Sequence, residues 1–200
     1  MKREAANPNS WQDHYTRRAK KEQYPARSVY KLQEIQKKFN LIRKGHRVLD
    51  LGCAPGAWLL YAGEVTGPKG AVVGIDLKPV TVKLPAHVRA YLGDALASDD
   101  PVFGEIGDGF HMVLSDMAPA TTGMKDVDAL RSYHLCRAAL DIAATRLLPG
   151  GVFVCKIFQG EDFKAFTEAV RSAFGQQKIF KPQSSRKASK EIYIIGMGKK

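Results

Sequence analysis

Asp50-Leu51-Gly52-Cys53-Ala54-Pro55-Gly56-Ala57-Trp58 is the stretch on which the reading of the fold turns. Val48, Leu49 and Leu51 form the end of an apolar strand, and Gly52 and Gly56 let the backbone bend close to a ligand. A helix then begins, with its free N–H groups directed at whatever binds. The next apolar run, 71–75, ends at Asp76, about 20 residues after the glycine loop, where a carboxylate can accept both hydroxyls of a ribose. Strand, glycine loop, helix, strand and acid outline a nucleotide pocket.

Working outward, the chain alternates elements without internal repeats. Residues 1–25 read as a basic, loosely ordered segment with Pro8 and Pro25 as breakers, and 26–200 as one domain. A helix is predicted over 28–39, strands over 47–51, 71–75 and 88–92, an acidic loop around Asp99, Asp100, Glu105 and Asp108, and a strand over 111–115. A long helix over about 126–147 stops at Pro149-Gly150-Gly151. Strand 152–157 and helix 161–173 follow, then two β-rich runs, 178–181 and 192–196. The last two runs are joined by a basic stretch too short for a parallel crossover, so they should pair as an antiparallel hairpin. The expected fold is α/β, a Rossmann-like, mostly parallel seven-stranded sheet with an antiparallel last strand and helices on both faces. Seven strands ending in this way resemble the methyltransferases that use S-adenosylmethionine (SAM).

The loop departs from the dinucleotide fingerprint G-x-G-x-x-G, with Ala54 at the third position and a proline next, which suits SAM better than NAD. Ligands of such sheets bind at the carboxyl ends of the strands, where Asp50, Asp76, Asp94, Asp116 and Lys156 fall. Lys156 is the sharpest oddity, because it follows the apolar run Val152-Phe153-Val154-Cys155 directly. Three cysteines (Cys53, Cys136 and Cys155) without C-x-x-C spacing, and five scattered histidines, point to neither disulfides nor a metal site. No stretch approaches the roughly 18 apolar residues of a membrane span, and the expected location is the cytoplasm.

The formal charge of +11 is concentrated at the two ends of the chain. Residues 1–47 hold 13 basic and 4 acidic side chains, and 181–200 hold 6 and 1, whereas the middle is mildly acidic. Arg17, Arg18, Lys20, Lys21, Arg27, Lys37, Lys38, Arg43, Lys44 and Arg47 at one end, with Lys181, Arg186, Lys187 and Lys190 at the other, could flank one groove. A phosphate backbone is the natural partner.

Five collinear blocks make a resemblance specific: Ser28-Val29-Tyr30-Lys31-Leu32, Asp50 to Trp58, Ser115-Asp116-Met117-Ala118-Pro119, Val154 to Gly160, and Lys181 to Arg186 through Glu191-Ile192-Tyr193. From about residue 13 onward the chain resembles the FtsJ/RrmJ family of RNA ribose 2′-O-methyltransferases. The resemblance implies a catalytic tetrad of Lys31, Asp116, Lys156 and Glu191, with SAM held at Gly56, Trp58, Asp76, Asp94 and Asp116. In that picture Asp76 meets the ribose hydroxyls, Asp94 the adenine amino group, and Gly56 with Trp58 shapes the methionine end. Lys156 accepts the 2′-hydroxyl proton, or stays charged and stabilises the developing alkoxide while water or a carboxylate takes the proton. Two positions depart from the family pattern. Ala57 stands where a second glycine is common, and Ala120 where asparagine is common.

The implied substrate is ribosomal RNA of the large subunit, a uridine within it, with an assembled particle as the possible target and a monomer as the expected form. Transfer RNA is the alternative substrate. A non-catalytic RNA-binding assembly factor and an NAD oxidoreductase are the alternatives of other classes.

Overall fold

The computed structural model describes residues 10–97, 100–186 and 188–200. Asp99 and Lys187, named above, and positions 1–9 of the N-terminal segment lie outside them. Seven strands form one sheet: β1 (Arg47–Leu51), β2 (Ala71–Asp76), β3 (Val88–Leu92), β4 (Phe110–Ser115), β5 (Leu147–Phe158), β6 (Phe174–Phe180) and β7 (Glu191–Lys199). Their order is β3-β2-β1-β4-β5-β7-β6. The first five pair in parallel, and β7 enters between β5 and β6, antiparallel to both. The predicted hairpin of the last two strands is therefore present.

Six helices accompany the sheet among the described residues: α1 (Ser10–Lys21), α2 (Val29–Phe39), α3 (Ala57–Thr66), α4 (Val102–Ile106), α5 (Lys125–Arg146) and α6 (Phe163–Ala173). Strand side chains alternate between faces, and the two cores show that alternation residue by residue. Leu49, Leu51, Val113, Phe153, Cys155 and Ile194 pack on one face with Cys136, Ala139 and Leu140 of α5 and with Phe166 and Val170 of α6. Val48, Met112, Leu114, Val154, Tyr193 and Ile195 pack on the other with Leu32 and Ile35 of α2 and Trp58, Leu59 and Ala62 of α3. Each fully buried side chain of this size contributes about 1.5–3 kcal/mol relative to exposure. The parity has a functional corollary. Asp50, Asp76, Asp116, Lys156, Glu191 and Tyr193 continue the α2/α3 face of their own strands.

Two expectations need correction. Part of the stretch read as loosely ordered is the helix α1. Pro25 lies beyond that helix rather than inside it, Ala19 is buried, and the Tyr15 ring lies 5.3 Å from Tyr30 of α2. The acidic loop before β4 likewise contains a short helix, α4, because Val102, Phe103 and Ile106 turn into the core.

Candidate active site

At the carboxyl end of β1 the backbone takes positive φ at Gly52 (75°) and Gly56 (106°). A Cβ at Gly52 would lie 2.5 Å from Met117 Cγ, and one at Gly56 would lie 2.9 Å from Val80 and Val82. Both turns thus require glycine for conformation and for space. Asp76, at the end of β2, is held from both sides: the Ala54 N–H donates to Oδ2 and the Lys78 N–H to Oδ1, each at 2.8 Å. A carboxylate fixed by one amide per oxygen keeps lone pairs for further donors. Asp94, after β3, accepts from the Leu96 N–H at 2.8 Å. Beside these acids, Leu77 and Leu92 are 69% and 67% exposed, leaving apolar surface next to fixed carboxylates.

Asp50 is 1% exposed, and among the described residues neither carboxylate oxygen has a hydrogen-bond partner. Burial, then the nearby charges of Asp116 and Asp76, push its carboxyl well above the ordinary aspartate range. A buried, unpartnered acid among acids fits a ligand that brings positive charge.

The four tetrad candidates come together on the neighbouring part of the rim. Lys156 Nζ lies 3.0 Å from Asp116 Oδ1 and also donates to the Asp116 carbonyl. Lys31, from the first turns of α2, reaches Glu191 at 2.8 Å. Tyr193 joins the two pairs: its hydroxyl donates to Asp116 Oδ1 at 2.6 Å, and the Lys31 ammonium lies 6.0 Å from its ring centroid. The register explains the convergence, since β5 and β7 place Lys156 opposite Tyr193 and Phe158 opposite Glu191. Burial raises the Asp116 carboxyl, but Lys156, Lys31 and the Tyr193 hydroxyl outweigh it and hold the acid below its ordinary range. Burial and the adjacent Asp116 push the Tyr193 phenol far up, so it stays a donor. Sequence reading assigned Tyr193 no role, because Ile192-Tyr193-Ile194 reads as plain apolar strand.

Trp58 is 3% exposed, and its indole N–H donates to the Ser28 carbonyl at 2.9 Å. Its contact is with the entry to α2, the helix that presents Lys31.

The two basic ends of the chain meet beside this centre. Arg27 donates to the Ser184 carbonyl at 2.7 Å, and burial followed by the nearby Arg186 lowers the Arg27 pKa. Glu34 accepts from the N–H groups of Gln183 and Ser184 at 2.6 and 2.9 Å, fastening the β6–β7 connection to α2. Glu34→Ala would strand the buried Ser184 amide, a loss of about 1–3 kcal/mol. Urea unfolding should show that loss, together with faster proteolysis within 182–190; an unchanged midpoint would discard the anchoring role.

A parallel sheet with its last strand reversed, a glycine loop beneath fixed carboxylates, and a paired Lys-Asp-Lys-Glu group at the strand ends define a Rossmann-like methyltransferase. A profile of FtsJ-like methyltransferases matches residues 24–199, and the chain belongs to that family. It is 59% identical over 192 residues to the ribosomal RNA large subunit methyltransferase E of Desulforapulum autotrophicum, covering 96% of this chain and 95% of that one. The protein of the same name from Desulfatibacillum aliphaticivorans is 52% identical over 200 residues, covering 100% and 97%. Among solved structures, a chain described as a ribosomal RNA methyltransferase from Plasmodium falciparum superposes with a TM-score of 0.78 at 26% identity, covering 88% of this chain and 98% of that one. No helix among the described residues is long and apolar enough to cross a membrane.

Proposed function

We propose that this methyltransferase uses SAM to methylate a ribose 2′-hydroxyl, on a uridine of large-subunit ribosomal RNA. The observation that carries the reading is the double ion pair Lys156–Asp116 and Lys31–Glu191, bridged by Tyr193 and set on the same sheet face as Asp50 and Asp76. The RNA assignment draws on the names of the relatives and on the basic segments that meet at Arg27 and Ser184. The three buried free cysteines suit a reducing cytoplasm, where the enzyme would act as a monomer.

The residues present fit SAM. Asp76 would take the ribose hydroxyls, Asp94 the adenine edge between the exposed leucines, and Asp50 with the acidic rim the positive charge, with Gly56 leaving room along the loop and Trp58 backing it from the core. When bound, SAM supplies a methyl group on a positively charged sulfur. The chain's own part is positioning and electrostatics. Lys156, oriented by two contacts to Asp116, would direct its remaining N–H at the incoming 2′-oxygen and steady negative charge as that oxygen passes its proton to water. Tyr193 keeps Asp116 ionised and in place. Lys31, held by Glu191, extends the positive charge toward the substrate. Orientation of two reactants in one site can supply roughly 7–11 kcal/mol of the barrier.

The test is transfer of labelled methyl from SAM to large ribosomal subunits lacking the modification, followed by nuclease mapping. Label on a ribose 2′-oxygen of large-subunit RNA is the expected result. Label confined to transfer RNA would replace the substrate assignment, and SAM binding without label on any RNA would overturn the reaction.

A further inference from the structure

Of the surfaces outside the rim, α1 carries the clearest signal. Its exposed face forms a groove lined by His14, Arg17, Arg18, Lys21 and Glu22. Glu22 does little to offset the cations, because it is engaged by Arg18 at 2.7 Å and by the Tyr30 hydroxyl at 3.0 Å. The Arg18 guanidinium lies 4.5 Å from the Tyr30 ring centroid, so its stem and head are fixed on α2.

The helix that presents these charges is firmly seated. Ala19 packs with Val29, Tyr30 and Ala57, the Tyr15 ring lies against Tyr30, and the Tyr24 hydroxyl just beyond α1 donates to Glu64 of α3 at 2.7 and 2.8 Å. Through Tyr30, α1 is attached to the residue beside Lys31. The cationic face is therefore held at a set position relative to the Lys31–Glu191 pair. Ala19 and the tyrosine rings supply the apolar packing of α1, and four basic residues within 17–21 gather positive charge on this one helix.

We propose that this α1 groove is a second contact for the phosphodiester backbone of the RNA substrate, one helix away from the reacting nucleotide, with Arg17 and Lys21 as its principal cations. This rests on the RNA reading above. Phosphodiester is the ligand chemistry because guanidinium and ammonium groups along a helix meet regularly spaced single anions, and neutralising them on binding releases counterions. The contact sets register and affinity and takes no part in methyl transfer.

The experiment uses the full chain with Arg17→Gln and Lys21→Gln combined, and with the charge-retaining pair Arg17→Lys and Lys21→Arg. Methyl transfer to unmodified large subunits and direct binding of a large-subunit RNA fragment are followed across a potassium chloride series. For the glutamine pair, KM for RNA should rise about tenfold or more with kcat within twofold, and the slope of log affinity against log salt should become shallower by about 1.5. SAM affinity should not change, and the charge-retaining pair should recover the wild-type slope. Unchanged KM and slope in the glutamine pair, with active wild type, would overturn this proposal and leave the RNA reading standing. A wild type that methylates no RNA would instead remove the reading on which it rests.

Discussion

Lys156→Ala should lower kcat for methyl transfer by about a thousandfold while leaving SAM and RNA affinities within a few-fold of wild type. Positioned acid, base and electrostatic groups contribute roughly 10²–10⁴-fold each, and this lysine is the group that the proposed mechanism sets against the reacting oxygen. Its ammonium is 3.0 Å from Asp116 and its side chain only 6% exposed, so truncation also strands a buried acid. Asp116 retains the Tyr193 hydroxyl at 2.6 Å, which keeps the fold in reach of measurement. Lys156→Met, close in shape and uncharged, is the companion variant. If either neutral variant keeps a tenth of the wild-type rate, Lys156 does not act on the reacting atoms. Lys156→Arg then separates its two possible roles, because a guanidinium donates and stays charged but cannot take up a proton. Substantial activity in that variant would assign electrostatic support, and activity at the alanine level would assign proton acceptance.

Asp50→Asn should move stability and binding in opposite directions. The folded-state pKa of Asp50 is raised above its unfolded value by burial and by Asp116 and Asp76, so the folded protein binds the extra proton. The stability tied to that proton is present in acid, below the unfolded pKa of about 3.9, and is lost as pH rises through the folded pKa. At neutral pH the unpartnered carboxylate therefore destabilises the ligand-free protein, and its neutral amide should be more stable by about 1–3 kcal/mol. For a chain of this size each 1 kcal/mol shifts the thermal midpoint by about 2–4 °C. The gain should shrink as pH falls toward 4. Asp100, Asp116 and Asp128 have lowered pKa values and impose the opposite slope, but they are common to both proteins, so the difference between variant and wild type isolates Asp50. SAM affinity should fall about tenfold to hundredfold, because a cationic ligand favours the ionised form of Asp50 and an amide cannot ionise. Unfolding scans from pH 4 to 8 and titration calorimetry provide both readouts. A variant that is less stable at pH 7, or that binds SAM as tightly, would refute the account.

The sheet was legible because its chemistry is periodic. Apolar runs that lead to Asp50, Asp76, Asp116 and Lys156 announce which end faces a ligand, and the short link before β7 leaves no room for a crossover helix, whereas β5 starts earlier than 152, at Leu147, and takes in the Pro149-Gly150-Gly151 read as a helix stop. The helix α1 escaped notice because its buried contribution is Ala19 and tyrosine rings rather than a stripe of leucines, while the prolines on either side read as breaks. The α4 turn was hidden by its acidic surroundings. Identification of Lys31 and Glu191 rested on resemblance, since neither stands out by spacing, and their pairing spans 160 positions of chain. Tyr193 was invisible for a different reason: its ring satisfies the strand pattern, and the part that matters is one hydroxyl whose partner lies across the sheet.

The place of β7 between β5 and β6 also divides the site between the two halves of the chain. The loop at Gly52 to Gly56 and the acids at Asp76 and Asp94 are laid down by the early part of the chain, so a nucleotide cradle can mature from local contacts. Glu191 and Tyr193 lie on the last strand, which sits between two neighbours that precede it in the chain. The proposed SAM pocket thus draws on the first half of the chain, while the proposed catalytic group is completed by its last strand.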